Sequence, residues 1–174
     1  MRTNLSSQIS LNRVSPRYYR PENAVERSVL TRCEKVPTDI YETPDEGVQQ
    51  IANEIVSKIQ DRQKEGKFCT IALGTGVSLR PLFTELVRRH KDEGVSFRNV
   101  VVFNLYEFYP LTDGHEGSFS HLNKLFLSQI DIDPQNVFTI NGNIPQEAVL
   151  EHCRLYEQRI QTYGGIDILV MGIG

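Results

Sequence analysis

Phe68-Cys69-Thr70-Ile71-Ala72-Leu73-Gly74-Thr75-Gly76-Val77-Ser78 is the stretch that decides the fold of this 174-residue chain. The run from Phe68 to Leu73 is short, apolar and bounded by Gly66 and Gly74, as a strand covered on both faces should be. A glycine-containing loop follows it, and then Leu82, Phe83, Leu86 and Val87 trace the stripe of a helix that should end near Gly94. Upstream, Thr43 can cap, Pro44 suits a first helical position, and Asp45 and Glu46 favour the positive end of a helix dipole. Val48, Ile51, Ile55 and Ile59 continue that helix toward Gly66. Downstream, Val100 to Phe103 reads as a second buried strand. A third helix is expected over about 119–129, a short strand over Val137 to Ile140, a fourth helix over Glu147 to Tyr163 and a last strand over Ile166 to Val170. Strands alternating with helices predict an α/β fold: an open, mostly parallel sheet with helices on both faces, Rossmann-like and three-layered.

Residues 1 to 40 lack a sustained period and read as an N-terminal arm before a domain over 41 to 174. Arg13, Arg17, Arg20, Arg27 and Arg32 make the arm locally basic, which suits a solvated or subunit-packing segment. A composition of 39% apolar and 24% charged residues is that of an ordinary globular protein, and a net charge of −3 gives no electrostatic reason to expect nucleic acid or an acidic membrane. Small molecules or other proteins are the expected partners. The first residues lack the apolar core of a secretory signal, and no apolar run approaches the ~20 residues that span a bilayer, so the cytoplasm is the expected compartment. Cys33, Cys69 and Cys153 are odd in number and far apart, and are expected to be buried or idle thiols rather than a disulfide framework.

In an open parallel sheet, ligands bind at the carboxyl ends of the strands. Two segments answer to that position. Gly74-Thr75-Gly76-Val77-Ser78 joins a strand to a helix, so its backbone N–H groups, the helix dipole and the hydroxyls of Thr75 and Ser78 could hold an anion. The alternative is a tight turn that merely needs glycine. Gly-Lys-Ser/Thr is absent, which excludes a nucleotide P-loop, and Leu79 stands where a dinucleotide fingerprint wants its third glycine. A small phosphorylated metabolite fits better. After the next strand, Glu107 is the strongest candidate acid, able to orient a sugar hydroxyl or move a proton; its alternative is a packing carboxylate paired to an arginine. His115 and Ser118 follow in the same loop. His90, His121 and His152 share no metal-ligand spacing, and no metal is expected. The last residues, Met171-Gly172-Ile173-Gly174, come where such a sheet begins to build its site, so half of the site is expected to lie beyond residue 174.

Taken together, these residues resemble the glucosamine-6-phosphate deaminase family. Its Thr-Gly-Gly-Thr phosphate loop corresponds to Thr75-Gly76-Val77-Ser78, and its Phe-Asn-Met-Asp-Glu-Tyr segment to Phe103-Asn104-Leu105-Tyr106-Glu107-Phe108. Further matches are His115 with Ser118, Asn141-Gly142-Asn143, and Cys153-Arg154-Leu155-Tyr156-Glu157 followed by Ile160 and Tyr163-Gly164; the likeness runs from about 38 to 174. The resemblance implies conversion of glucosamine 6-phosphate to fructose 6-phosphate and ammonia, with no metal or organic cofactor. It implies Thr75, Gly76, Val77, Ser78 and Gly172 as substrate or phosphate contacts, and a homo-oligomer in the full-length form. One departure bears on mechanism: the family's proton-shuttling aspartate corresponds to Tyr106. A phenol, with an ordinary pKa near ~10, keeps its proton at neutral pH and replaces a carboxylate base poorly. Glu107 is one residue along, but neighbours on an extended segment point to opposite sides. A silent sugar-phosphate sensor is therefore the second reading. A lactone-hydrolysing enzyme acting on 6-phosphogluconolactone is a weaker third, because that family's Asp-Glu-Arg signature keeps neither its Asp nor its Arg around Glu107.

Overall fold

The computed structural model describes residues 39–111 and 116–172. The chain divides into two compact units, Met1–Gln50 and Ile51–Gly174. Of the arm expected over 1 to 40, all but residues 39 and 40 lie outside the described residues, as does Cys33. Helix α1 is Pro44–Lys64, and its start is capped reciprocally: the Thr43 hydroxyl accepts the Glu46 N–H at 3.3 Å, and the Glu46 carboxylate accepts the Glu42 N–H at 3.3 Å.

Four strands, β1 (Cys69–Leu73), β2 (Val100–Asn104), β3 (Val137–Phe138) and β4 (Ile168–Val170), form a sheet in the order β3-β2-β1-β4, with every pairing parallel. Between them run α2 (Arg80–Glu93), α3 (Ser118–Leu125) and α4 (Val149–Thr162). β1 and β2 are buried along their whole length, which matches their uninterrupted apolar runs. The strand period of two divides the core. Cys69, Ile71, Leu73, Val100 and Val102 pack with residues of α1, α2 and α3, whereas Ala72, Val101 and Phe103 face Tyr156 and Ile160 of α4. Helices therefore cover both faces, as the alternating pattern predicts, although α4 contributes no fully buried residue. Gly94 ends α2 at φ 72°, in the left-handed region that glycine adopts without penalty.

Several boundaries differ from expectation. In α1 the inner stripe is Ala52, Ile55, Val56 and Ile59, and Ile51 is turned outward. The helix expected over 119–129 is α3 followed by a single 3-10 turn, Leu127–Gln129. Phe126 breaks it at φ −140°, and its ring packs at 5.3 Å from Phe83 and 5.5 Å from Phe97. The helix expected from Glu147 begins as a 3-10 turn, Gln146–Ala148, and the expected strands at 137–140 and 166–170 are shorter in pairing.

Asp167, just before β4, ties this edge to β1 and α1. One carboxylate oxygen accepts Arg62 Nε–H at 3.0 Å and a second guanidinium N–H of Arg62, the other accepts the Thr70 N–H at 3.0 Å, and Lys58 lies at 3.9 Å. Burial works to raise the Asp167 pKa, but the Arg62 hydrogen bonds, the Thr70 amide and the nearby positive charges outweigh it and hold the carboxyl below its usual range. A depressed folded-state pKa stabilises the protein above the unfolded value of ~3.9, and that contribution disappears as pH falls through the folded value. Asp167→Asn is therefore expected to cost about 1.5–3 kcal/mol at pH 7, the range for hydrogen bonds to a charged group, and to flatten the acid dependence of stability. Urea titrations at pH 7 and in acid check this: equal losses at both pH values would remove the ionised carboxylate from the account.

Candidate functional site

The sheet order places β4 on the side of β1 opposite β2, and an open parallel sheet binds its ligands in the crevice beyond the carboxyl ends of such strands. The loop from Gly74 to Ser78 lies at that crevice. Gly74 N–H donates to the Val170 carbonyl at 2.9 Å, joining the loop to the end of β4. Val77–Leu79 then forms one 3-10 turn that runs into α2, with Leu79 N–H on the Gly76 carbonyl and Arg80 N–H on the Val77 carbonyl. Among the described residues, the amides of Gly76, Val77 and Ser78 find no acceptor, and these are the donors an anion would take. Gly76 has an ordinary φ of −60°, and a Cβ there would meet only the Ser78 hydroxyl at 3.5 Å, so its smallness keeps the loop approachable rather than relieving strain. At Gly172 a Cβ would come within 2.6 Å of Ser78 Oγ. The structure thus brings Thr75, Gly76, Val77, Ser78 and Gly172 to one place.

Tyr106 reaches the same loop from the end of β2. Its hydroxyl accepts the Thr75 N–H at 2.9 Å, Thr75 Oγ1 lies 3.4 Å away, and its ring edge would touch a Cβ at Gly74 at 3.3 Å. The phenol covers the first turn of the loop yet remains 44% exposed, so a ligand in the crevice would meet it. Thr75 Oγ1 also shares a hydrogen bond of 2.6 Å with Ser118 Oγ, and Ser118 is buried at the start of α3.

Among the described residues Glu107 has no arginine partner of the kind the packing alternative drawn from the sequence requires; the partners found for it are backbone amides. One oxygen accepts the N–H of Ser118 at 2.6 Å and of Phe108 at 2.9 Å, and the other accepts the N–H of Phe119 at 3.0 Å. It caps α3 from outside the helix, where a negative charge is favoured by the dipole. Gly117 permits this approach, since a Cβ there would stand 2.7 Å from a carboxylate oxygen. Gly142 supports the other side: its carbonyl accepts the Leu111 N–H at 2.8 Å, and a Cβ would fall 2.2 Å from the Phe108 carbonyl oxygen.

Sequence reasoning missed Gly117 as part of the site, and it missed Asn104. The side chain of Asn104 is fully buried at the end of β2, its Nδ2 donates to the Tyr106 carbonyl at 3.0 Å, and its Oδ1 has no partner among the described residues. The signal was a polar residue closing a run of four apolar ones. His115 lies outside the described residues. His90 Nδ1 is 2.7 Å from the Val95 carbonyl, His152 Nε2 accepts the Asn141 N–H at 3.1 Å, and His121 lies 3.9 Å from Glu116, so each has a local role away from the loop. Among the described residues no group of three or more His, Cys, Asp or Glu side chains is arranged to hold a metal, and no helix is long and apolar enough to cross a membrane. Burial pushes the Cys69 thiol up to about 11, while Cys153 is exposed, and both are free.

Comparison with known proteins gives a family. The sequence model of glucosamine-6-phosphate isomerases/6-phosphogluconolactonase matches residues 42–174. A glucosamine-6-phosphate deaminase-like protein of Bacteroides thetaiotaomicron is 58% identical over 175 residues, covering 100% of this chain and 26% of that protein. A glucosamine-6-phosphate deaminase of Porphyromonas gingivalis (strain ATCC 33277) is 38% identical over 105 residues, 60% of this chain and 39% of the relative. The chain thus spans well under half the length of either. Among solved structures, a monomeric glucosamine-6-phosphate deaminase superposes with a TM-score of 0.68 at 30% identity, over 76% of this chain and 53% of that one. A 6-phosphogluconolactonase of Thermotoga maritima gives 0.59 at 21% identity, over 73% and 56%, a likeness of fold alone.

Proposed function

We propose, because this chain belongs to the family of glucosamine-6-phosphate isomerases and 6-phosphogluconolactonases, that it supplies the phosphate-holding part of a hexosamine 6-phosphate site in a protein that converts glucosamine 6-phosphate to fructose 6-phosphate and ammonia. The observation that carries the reading is the set of amides at Gly76, Val77 and Ser78 without an acceptor among the described residues, beside the Ser78 hydroxyl and the small Gly172, at the carboxyl ends of β1 and β4. A phosphate takes several converging donors at once, whereas a neutral sugar hydroxyl satisfies few of them. Tyr106 would line the sugar side of the same site. We place the protein in the cytoplasm, as a homo-oligomer in its full-length form.

Glucosamine 6-phosphate is expected to bind and glucosamine is not. Gly76→Val should abolish that binding by filling the approach to the loop, and the backbone should tolerate it, because a Cβ there meets only the Ser78 hydroxyl, at 3.5 Å, and φ is an ordinary −60°. Ser78→Ala should cost about 0.5–1.5 kcal/mol, one hydrogen bond, or more if the bond is charge-assisted. Calorimetry with both sugars tests this, and equal affinities in the unmutated protein would remove the phosphate site.

A second reading, a sugar-phosphate sensor without catalysis, is favoured by one observation. Tyr106 stands at the family's acid position with its hydroxyl on the Thr75 amide, and among the described residues no carboxylate is hydrogen-bonded to the loop. Turnover of glucosamine 6-phosphate by the full-length protein separates the two readings.

A further inference from the structure

We infer that Glu107 is a positioning residue: it anchors the start of α3 so that Ser118 sets Thr75, and through it the shape of the anion-holding loop. The inference rests on the phosphate reading above only in what the loop binds. The path is continuous in hydrogen bonds. Glu107 accepts the Ser118 and Phe119 amides at 2.6 and 3.0 Å, Ser118 Oγ meets Thr75 Oγ1 at 2.6 Å, and the Thr75 amide donates to Tyr106 at 2.9 Å. Each link joins segments distant in sequence, so the loop after β1 inherits its geometry from the loop after β2 and from a helix that starts at residue 118.

Three features argue that the carboxylate is held for this purpose. Both of its oxygens are taken by backbone amides, which leaves it poorly placed to exchange a proton with a ligand. Gly117 and Gly142 leave room for it: side chains there would strike the Glu107 carboxylate in one case and the Phe108 carbonyl in the other. Ser118 is 2% exposed, so its hydroxyl has little freedom to turn away from Thr75 once its amide is fixed. A neighbour of the family's acid position thus acts through α3 rather than on substrate.

Glu107→Gln in the full-length protein tests the assignment, because the amide keeps the shape of the side chain and removes its charge and one acceptor. Amide hydrogen exchange is measured first, without ligand. Exchange at Ser118, Phe119 and Thr75 should accelerate about tenfold relative to Val101 in the core of the sheet, a local change that general destabilisation would not give. Affinity for glucosamine 6-phosphate should fall about tenfold, with kcat at saturation within twofold of the unmutated protein. Ser118→Ala should reproduce the affinity loss, and the double substitution should lose no more than either alone, since both act through one path. Unchanged exchange at Thr75 overturns the inference. A fall in kcat of about 10²- to 10⁴-fold with unchanged affinity also overturns it, by making Glu107 a general base. Equal affinity of the unmutated protein for glucosamine and its 6-phosphate would sink the phosphate reading alone, and Thr75 exchange would still decide the role of Glu107.

Discussion

Tyr106→Asp in the full-length protein is expected to restore or raise ammonia release from glucosamine 6-phosphate, by as much as the 10²- to 10⁴-fold that a positioned acid-base group commonly contributes. The phenol reaches from the end of β2 over Gly74 and ends on the Thr75 amide. An aspartate at the same Cα is too short to make that bond; it uncovers the loop and leaves a carboxylate in the crevice. With an ordinary pKa near ~3.9, such a group is ionised at neutral pH and can accept a proton. Tyr106→Phe is the control, because it frees the Thr75 amide without supplying a base. If the phenol only blocks the loop, both variants should tighten phosphate binding; if the missing acid limits the chemistry, only the aspartate should change kcat. The assay is direct measurement of ammonia, with binding followed in parallel. An aspartate variant that binds ligand and remains inert would favour the sensor.

How much of this was legible in the sequence depended on the distance between the residues that define each feature. The strand-loop-strand character of 68–78 and 100–104 is local, written in apolar runs closed by glycine or a polar residue, and it appears in the structure nearly unchanged. The cap at Thr43 and Glu46 is local as well. Glu107 was found as the candidate acid beyond the second strand, but two of its partners are amides 11 and 12 residues away, and nothing in its own neighbourhood distinguishes an amide partner from the arginine of the packing alternative. Gly117 and Gly142 carry no signal of their own. Their smallness matters because Glu107 and Phe108 approach them, a condition set by the packing of three loops. The outward turn of Ile51 has the same origin: periodicity fixed the helix, while the rotation of its stripe was set by what the sheet could bury.

Phe103→Ala should produce the largest loss of stability of any substitution considered, about 3–5 kcal/mol, because one ring holds a whole layer in place. Phe103 is 1% exposed and stacks on Phe138 at 5.0 Å, with Tyr156 edge-on at 5.5 Å and Tyr163 at 6.3 Å. On the opposite face, the sheet is covered by three helices and a broad set of buried aliphatic side chains, so loss of a single residue there leaves many contacts standing. On this face, among the described residues, Ala72, Val101 and Phe103 make up the buried hydrophobic cluster, and α4 has no buried residue of its own. A pocket of about 320 Å³, partly open to solvent, already lies beside Phe103 between the sheet and α4, so truncation should widen that opening into the layer. The effect should reach the site. Tyr156, whose hydroxyl donates to the Asn104 carbonyl at 2.6 Å, fixes the last residue of β2, and Asn104 in turn holds the Tyr106 carbonyl. Hydrogen exchange should therefore show α4 opening at lower free energy than α2, together with faster exchange after β2, while Val87 and Leu86 stay protected. Uniform loss of protection across both faces would mean that α4 is held by more than this aromatic cluster, and that Phe103 does not couple it to the crevice.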